Sequence, residues 1–158
     1  MKYILLIFTL ILSACSVKSY EHTSSKIIII KSPKLKFADL GYIRNSGKSV
    51  ELELFVAGKA VEKITLNHRV CTSEGCMDKR SFNKEYLSAA YPDDMLQNIL
   101  LGRPIYAGLK RVQTADGFEQ RVETQHVEIT YSVNPHAIYF KDTKNKILIN
   151  IKDMEQRR

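Results

Sequence analysis

The segment Val50-Glu51-Leu52-Glu53-Leu54-Phe55-Val56 carries an aliphatic side chain at every second position. A period of two places successive side chains on opposite sides of a strand. One side of this strand is wholly aliphatic and the other carries two carboxylates, which is typical of an antiparallel sheet with one buried and one solvated face. The segment therefore predicts a mainly antiparallel β fold.

Working outward from this segment, the same alternation recurs towards both ends of the chain, between turn signals such as Asn45-Ser46-Gly47-Lys48 and Ala115-Asp116-Gly117. The further predicted strands are 27–30, 35–43, 64–70, 105–114, 118–124, 127–133, 137–141 and 146–152. Eight or nine short strands at such spacing predict a β-sandwich, immunoglobulin-like in the broad sense, or a small barrel. The chain has no Trp, so the Cys-Trp-Cys core of antibody domains is absent.

The centre of the chain has a different period. Met95, Leu96, Ile99 and Leu100 share one helical face, and Gly102 suits the position that follows a helix. We expect a helical insertion around 82–101, formed by two short helices or by one helix kinked at Pro92.

Length and composition set the scale of the protein. The chain has 158 residues, 44% hydrophobic and 26% charged, which suits one folded domain and disfavours disorder throughout.

The N-terminus has the order of parts of a secretory signal. Lys2 is followed by an apolar run of ten residues, 3–12, which is about half the length that a membrane-spanning helix needs. This is the length of the apolar core of a signal peptide. The run ends in Leu12-Ser13-Ala14-Cys15, which resembles the lipobox of bacterial lipoproteins.

The resemblance implies cleavage between Ala14 and Cys15, a diacylglycerol on the Cys15 thiol and an acyl chain on the new amine. Ser16, in place of the Asp that retains many such proteins at the inner membrane, implies an outer-membrane location, on the periplasmic face or at the cell surface. Several acyl chains make anchoring stable. The predicted divisions are a signal peptide (1–14), a lipidated Cys15 with a flexible tether (15–25), a single β-sandwich domain (26–153) and a frayed tail (154–158).

Two cysteines remain once Cys15 is lipidated. Because the envelope is oxidising, we predict a Cys71–Cys76 disulfide across a turn-forming segment. The alternatives are a redox pair, free thiols, or a metal site that adds His68 and Asp78. The metal set lacks a second paired-ligand motif, so no metal is predicted.

No catalytic motif stands out. The sequence contains no phosphate-binding glycine loop, nucleophile elbow or HExxH motif. His68 falls in the apolar register of its predicted strand and is expected to be half-buried, whereas nothing in the spacing requires His126 and His136 to meet. We therefore expect no catalytic residue, no cofactor besides the lipid, and no enzymatic activity.

The formal charge of +7 allows two interpretations. One is a well-hydrated surface, and the other is attraction to anionic envelope lipid or an acidic envelope protein. Nucleic acid is not an expected partner at this location. Lys31, Lys34 and Lys36 follow the tether and are expected near the anchored end, while Lys141, Lys144, Lys146 and Lys152 surround the last predicted hairpin.

The segment 71–104 combines aromatic, basic and apolar helical residues. It is interpreted either as a cap that closes the core or as a partner surface formed by Arg80, Phe82, Tyr86 and Tyr91, because such residue types are enriched in interface cores.

The sequence thus predicts a lipid-anchored, non-enzymatic binding or structural module of the cell envelope. A surface-exposed adhesin that contacts a host is the alternative, and an envelope enzyme is the weaker third.

Overall fold

The computed structural model describes residues 20–47 and 49–154. The predicted signal peptide, Cys15 and residues 155–158 of the predicted tail lie outside these ranges. Within them, no helix has both the length and the apolarity that crossing a membrane requires. Every strand and helix of the described residues lies between His22 and Asp153, so a chain of residues 16–158 contains the complete described fold.

The described residues form eleven antiparallel strands, which are hydrogen-bonded into one sheet. They are β1 (His22–Lys31), β2 (Lys36–Asn45), β3 (Val50–Val56), β4 (Lys59–Leu66), β5 (Val70–Thr72), β6 (Gly75–Met77), β7 (Arg111–Gln113), β8 (Phe118–Glu123), β9 (Glu128–Asn134), β10 (Ala137–Asp142) and β11 (Ile147–Asp153). Their order in the sheet is β6-β5-β4-β3-β2-β1-β11-β10-β9-β8-β7.

The chain runs as two meanders. Strands β1–β6 form the N-terminal half and β7–β11 the C-terminal half, and each strand pairs with the next one along the chain. The two halves join where β1 pairs with β11, with Ile28 opposite Ile151 and Ile30 opposite Ile149. The strands nearest the two chain ends are therefore neighbours in the middle of the sheet.

Alternation gives the sheet an apolar inner face and a largely polar outer face. Directly opposite residues share a face, and the inner face can be followed across the register from Leu66 and Leu52 through Ile28 to Phe140 and Ile129. The buried apolar side chains of both halves and of the connector between them form a single cluster. The core therefore lies between the inner face and this connector.

The connector, residues 78–110, holds two short helices, α1 (Lys79–Tyr86) and α2 (Met95–Leu100). Asp78 caps α1, because its carboxylate accepts hydrogen bonds from the backbone N–H and the hydroxyl of Ser81, at 2.8 and 2.7 Å. Gly102, at φ +62°, follows α2, and the hydrogen bonds Gly102 N–H to Ile99 O and Arg103 N–H to Asn98 O form a Schellman motif. A Cβ at Gly102 would lie 3.1 Å from Val133 Cγ1, so the helix end packs closely against β9.

The predicted fold class is confirmed: the protein is mainly β and antiparallel, and the described ranges hold two short α-helices. The arrangement fits a β-sandwich-like fold, in which the sheet is continuous and is not closed. The predicted strand 105–114 is wrong over most of its length, since only Arg111–Gln113 are in β7 and Tyr106–Gly108 form a 3₁₀ turn. The physical reason is that the Gln120 side chain bonds both backbone groups of Ile105 and removes them from any ladder.

The boundary between the predicted tether (15–25) and the domain also differs. Strand β1 begins at His22, and residues 22–25 pair with the end of β2. The polar composition of these residues resembles a linker, but their backbone groups complete the β1–β2 ladder.

Gln120 offers a test of how the connector is fixed to the sheet. Its side chain is buried, accepts from Ile105 N–H at 2.9 Å, and donates to the carbonyls of Ile105 and Leu109 at 3.0 and 2.8 Å. Gln120→Leu removes the side-chain partner of Ile105 N–H and Leu109 O and one of the two hydrogen bonds to Ile105 O, which keeps the bond from Gly108 N–H. We expect the free energy of unfolding in urea to fall by about 2–3 kcal/mol. Glu119→Leu, at the exposed neighbouring position on the outer face, is the matched control. An equal loss in both variants would contradict this role.

Candidate functional site

A cavity of about 360 Å³ lies at one end of the inner face, between both halves of the sheet and the C-terminal end of α2. We term it the end pocket. Its apolar lining is contributed by β2, α2, β9, β10 and β11: Ile43, Leu100, Leu101, Val133, Ile138 and Ile151. Its polar lining comes from β1, β2 and the turn between β9 and β10: His22, Ser24, Lys26, Asn45, Asn134 and His136.

Strand β1 creates the polar side of the end pocket. Its inner-face positions are His22, Ser24 and Lys26, and then Ile28 and Ile30, which are buried in the core. The inner face of one strand thus changes from polar to apolar at Ile28. Polar side chains on an otherwise apolar inner face stay favourable only where water or a ligand reaches them, so this change marks the end of the closed core.

A charged group lies at the mouth of the pocket. Asp153, directly opposite Lys26 in the β1–β11 pair, forms an ion pair with the Lys26 ammonium, and its second oxygen lies 3.0 Å from His136 Nδ1. Hydrogen bonds from Lys26 and then from His136 lower the pKa of Asp153. Because a carboxylate only accepts, Nδ1 of His136 carries the hydrogen, and Nε2 is left for another partner.

The turn that presents His136 is fixed by its own sequence. The Asn134 side chain accepts hydrogen bonds from the backbone N–H groups of His136 and Ala137, at 2.9 and 2.8 Å. This Asx-type turn holds the imidazole beside Asp153. With apolar walls and a few convergent polar groups, the end pocket has the make-up of a site for a small, mainly apolar ligand that carries a hydrogen-bonding end.

A second cluster lies on the outer face around Glu51, which is only 2% exposed. Its carboxylate accepts hydrogen bonds from the Tyr20 hydroxyl at 2.6 Å and from Arg44 at 2.9 Å, and Lys63 lies 2.9 Å away. Arg44 also donates to Glu53 at 2.6 Å. Tyr20 is the first described residue, so this contact holds the N-terminal end of the domain on the outer face.

Burial and the contacts within this cluster shift the pKa values of Tyr20 and Glu51. Burial, together with the hydrogen bond to Glu51, raises the pKa of Tyr20 to about 12. Burial alone would raise the pKa of Glu51, but the hydrogen bonds from Tyr20, Lys63 and Arg44 and the charge of Lys63 lower it below its ordinary value.

The predicted disulfide is confirmed. Cys71 and Cys76 are bonded to each other and lie directly opposite in the β5–β6 hairpin at one edge of the sheet. Because both sulfur atoms are in this bond, the alternative metal set with His68 and Asp78 is not assembled, and Asp78 instead caps α1.

The predicted partner surface is wrong for three of its four residues. Phe82, Tyr86 and Tyr91 are 1%, 3% and 5% exposed, whereas Arg80 alone is exposed. Phe82 stacks on Tyr86, and Tyr91 packs edge-on against Phe140 of β10 while donating a 2.8 Å hydrogen bond to buried Asp142. These aromatics pack the connector against the core. This packing agrees with the alternative interpretation, in which the segment 71–104 is a cap that closes the core.

Two expectations about basic residues are also corrected. His68 is exposed in the turn between β4 and β5, because β4 ends at Leu66 and the alternation does not reach it. Lys31 and Lys36 lie at the far end of β1 and β2 from His22, since nine residues of strand carry the chain about 30 Å. Lys34 turns away from them to pair with Glu85 on α1.

No protein-family model matches the chain, and no curated protein matches it either. The site is therefore interpreted from its own residues.

Sequence reasoning missed the polar side of the end pocket. His22 and Ser24 were assigned to the tether (15–25), because residues 16–25 show no apolar period, and Lys26 was placed in the domain but ahead of the predicted strand 27–30. The sequence offered one sign that the strand begins earlier. Thr23 and the short polar residues after it continue into the Ile27–Ile30 run without a turn signal. His136 was noted, but its partner Asp153 lies at the end of the predicted domain and seventeen residues along the chain.

The Glu51 cluster predicts a pH dependence. Because folding lowers the pKa of Glu51, its contribution is complete above the ordinary value of 4.5 and is lost as the pH falls through the folded value. We expect Glu51→Gln to lower the free energy of unfolding by about 2 kcal/mol at pH 7. The difference in the free energy of unfolding between Glu51→Gln and the wild type should become smaller as the pH is lowered towards 3. Glu119→Gln, an exposed glutamate on the same face, is the control for both pH values. A deficit in Glu51→Gln that stays constant with pH would be evidence against the ionised role of Glu51.

Proposed function

We propose that the protein is a lipid-anchored lipoprotein of the bacterial outer membrane and acts as a non-enzymatic binding module. A signal peptide (1–14) is removed, Cys15 carries the diacylglycerol and acyl chains, and the folded domain captures a small ligand in its end pocket. Anchoring confines the domain to a thin layer at the membrane, which raises its effective concentration towards ligands and partners there.

The envelope location is supported by two independent features. The lipobox-like Leu12-Ser13-Ala14-Cys15 follows an apolar run of signal-peptide length. The Cys71–Cys76 disulfide suits an oxidising compartment, because cytosolic thiols are kept reduced.

The single observation that carries the binding role is the end pocket. Its volume of about 360 Å³ is within the range of small-molecule sites, and its lining joins apolar walls to Lys26 and His136, which both contact Asp153. The ligand class that these groups suit is a short aliphatic chain with a polar end that both accepts and donates hydrogen bonds.

Anchoring is tested by metabolic labelling of cells with an alkyne-bearing fatty acid. We expect label on the wild-type protein and its recovery in the membrane fraction, and neither for Cys15→Ser. The double variant Cys71→Ser/Cys76→Ser controls for labelling of thiols in general and should keep the label. An unlabelled wild-type protein, released in soluble form, would refute the anchored assignment.

The binding role is tested with octanoate and octanol as probes for residues 16–158. We expect saturable NMR shifts at the backbone amides of Ser24, His136 and Gly102. Ser24→Phe fills the pocket from β1 and should abolish the shifts, whereas Ser25→Phe is the matched control, because Ser25 lies on the outer face of the same strand. If neither probe shifts these amide signals, or if the shifts persist in Ser24→Phe, the end pocket is not the binding site.

A further inference from the structure

The outer face of the four central strands, β2, β1, β11 and β10, has an unusual composition. Four lysines and no acidic residue point outward from these strands. The lysines are Lys31, Lys36, Lys141 and Lys152. We term this surface the lysine face. Asp39, Asp142 and Asp153 belong to the same strands but hold inner-face positions.

The strands that flank this face do carry outward-facing acids. Glu51 and Glu53 of β3 are bonded to Arg44 within the Glu51 cluster, and Glu128 of β9 contacts the Thr143 hydroxyl. None of the four lysines forms an ion pair with any residue in the described ranges 20–47 and 49–154. Their charge is therefore not balanced within the described fold.

Three of these lysines share one cross-strand row. Lys36 lies directly opposite Lys31, Lys31 opposite Leu148, and Leu148 opposite Lys141. At about 4.8 Å between neighbouring strands, the row spans about 14 Å. Like charges directly opposite each other destabilise a sheet. An anionic surface laid along the row would remove this repulsion.

Apolar side chains lie among the lysines. Ile27 is 39% exposed, and Ile29, Leu40, Leu148 and Tyr139 are partly exposed on the same face. A flat surface with aliphatic and tyrosine side chains between lysines suits the boundary of headgroups and acyl chains, where lysine stems follow apolar surface and keep the ammonium in the polar layer.

The first described residue, Tyr20, lies on the outer side of the sheet. The Tyr20 hydroxyl bonds to Glu51, an outer-face residue of β3, and Cys15 lies five positions before Tyr20 in the sequence. Five extended residues reach at most about 17 Å. An anchor at Cys15 therefore holds the outer face, rather than the inner one, within reach of the bilayer.

We propose that the lysine face docks on the anionic headgroup surface of a phospholipid bilayer. This inference deepens the proposed function, since anchoring would set the distance and the lysine face would set the orientation of the domain. In that orientation the strands lie along the membrane, and the inner face with the end pocket is on the side of the sheet that is turned away from the bilayer.

The test uses residues 16–158, which lack Cys15, so its result does not depend on lipidation. Flotation with phosphatidylethanolamine vesicles should show binding that rises as phosphatidylglycerol is added and falls with added salt. Lys31→Gln/Lys141→Gln should weaken partitioning by about 30-fold, which corresponds to about 1 kcal/mol per lysine. Inorganic phosphate should weaken binding no more than sodium chloride does at the same ionic strength, since the proposal concerns a surface and not a single phosphate.

The matched control is Lys84→Gln/Lys110→Gln, which removes the same charge from exposed positions of the connector. This variant should weaken partitioning by less than about threefold. Equal losses in the two double variants, or binding that is indifferent to phosphatidylglycerol, would overturn the proposal. So would concentration-dependent self-association that Lys31→Gln/Lys141→Gln abolishes, because the occupant of the face would then be a second copy of the chain.

Discussion

The pairing of β1 with β11 is the constraint on which the rest of the structure depends. It joins residues as far apart as Lys26 and Asp153, 127 positions along the chain, whereas every other strand pair joins consecutive strands. Closing so long a loop costs chain entropy. The buried isoleucine pairs Ile28–Ile151 and Ile30–Ile149 supply the apolar burial that offsets this cost.

The same pairing creates the features to which we assign function. It places Lys26 opposite Asp153 at the mouth of the end pocket, and it places Lys31 beside Leu148 within the lysine row. Because side chains alternate along β1, one strand supplies the polar wall of the pocket from its even positions and part of the lysine face from its odd ones. Both features therefore depend on one register, and a slip by one residue would exchange the two faces.

The fold class followed from the sequence because local alternation carries it. Period-two segments such as Val50–Val56 predicted strands, and Gly102 predicted the end of α2. What local pattern does not contain is the partner of a distant strand or the side to which an aromatic points. Phe82, Tyr86 and Tyr91 have the composition of an interface, yet a core and an interface bury the same residue types. Likewise, residues 22–25 read as a linker, because their pairing with β2 is invisible in composition.

The lysines show most clearly that strand register, and not order in the sequence, decides which charges are neighbours. In the sequence Lys31, Lys34 and Lys36 form one cluster, but the turn between β1 and β2 sends Lys34 towards Glu85 and leaves the other two opposite each other. Lys141 joins them from more than one hundred residues further along the chain, through Leu148. Net charge counts these ammonium groups equally, whereas the field at a surface depends on which of them lack a nearby carboxylate. The sheet concentrates on one face lysines that form no ion pair with the described residues, whereas the charges around Glu51 beside it are balanced. This asymmetry would give the proposed membrane anchoring a defined orientation.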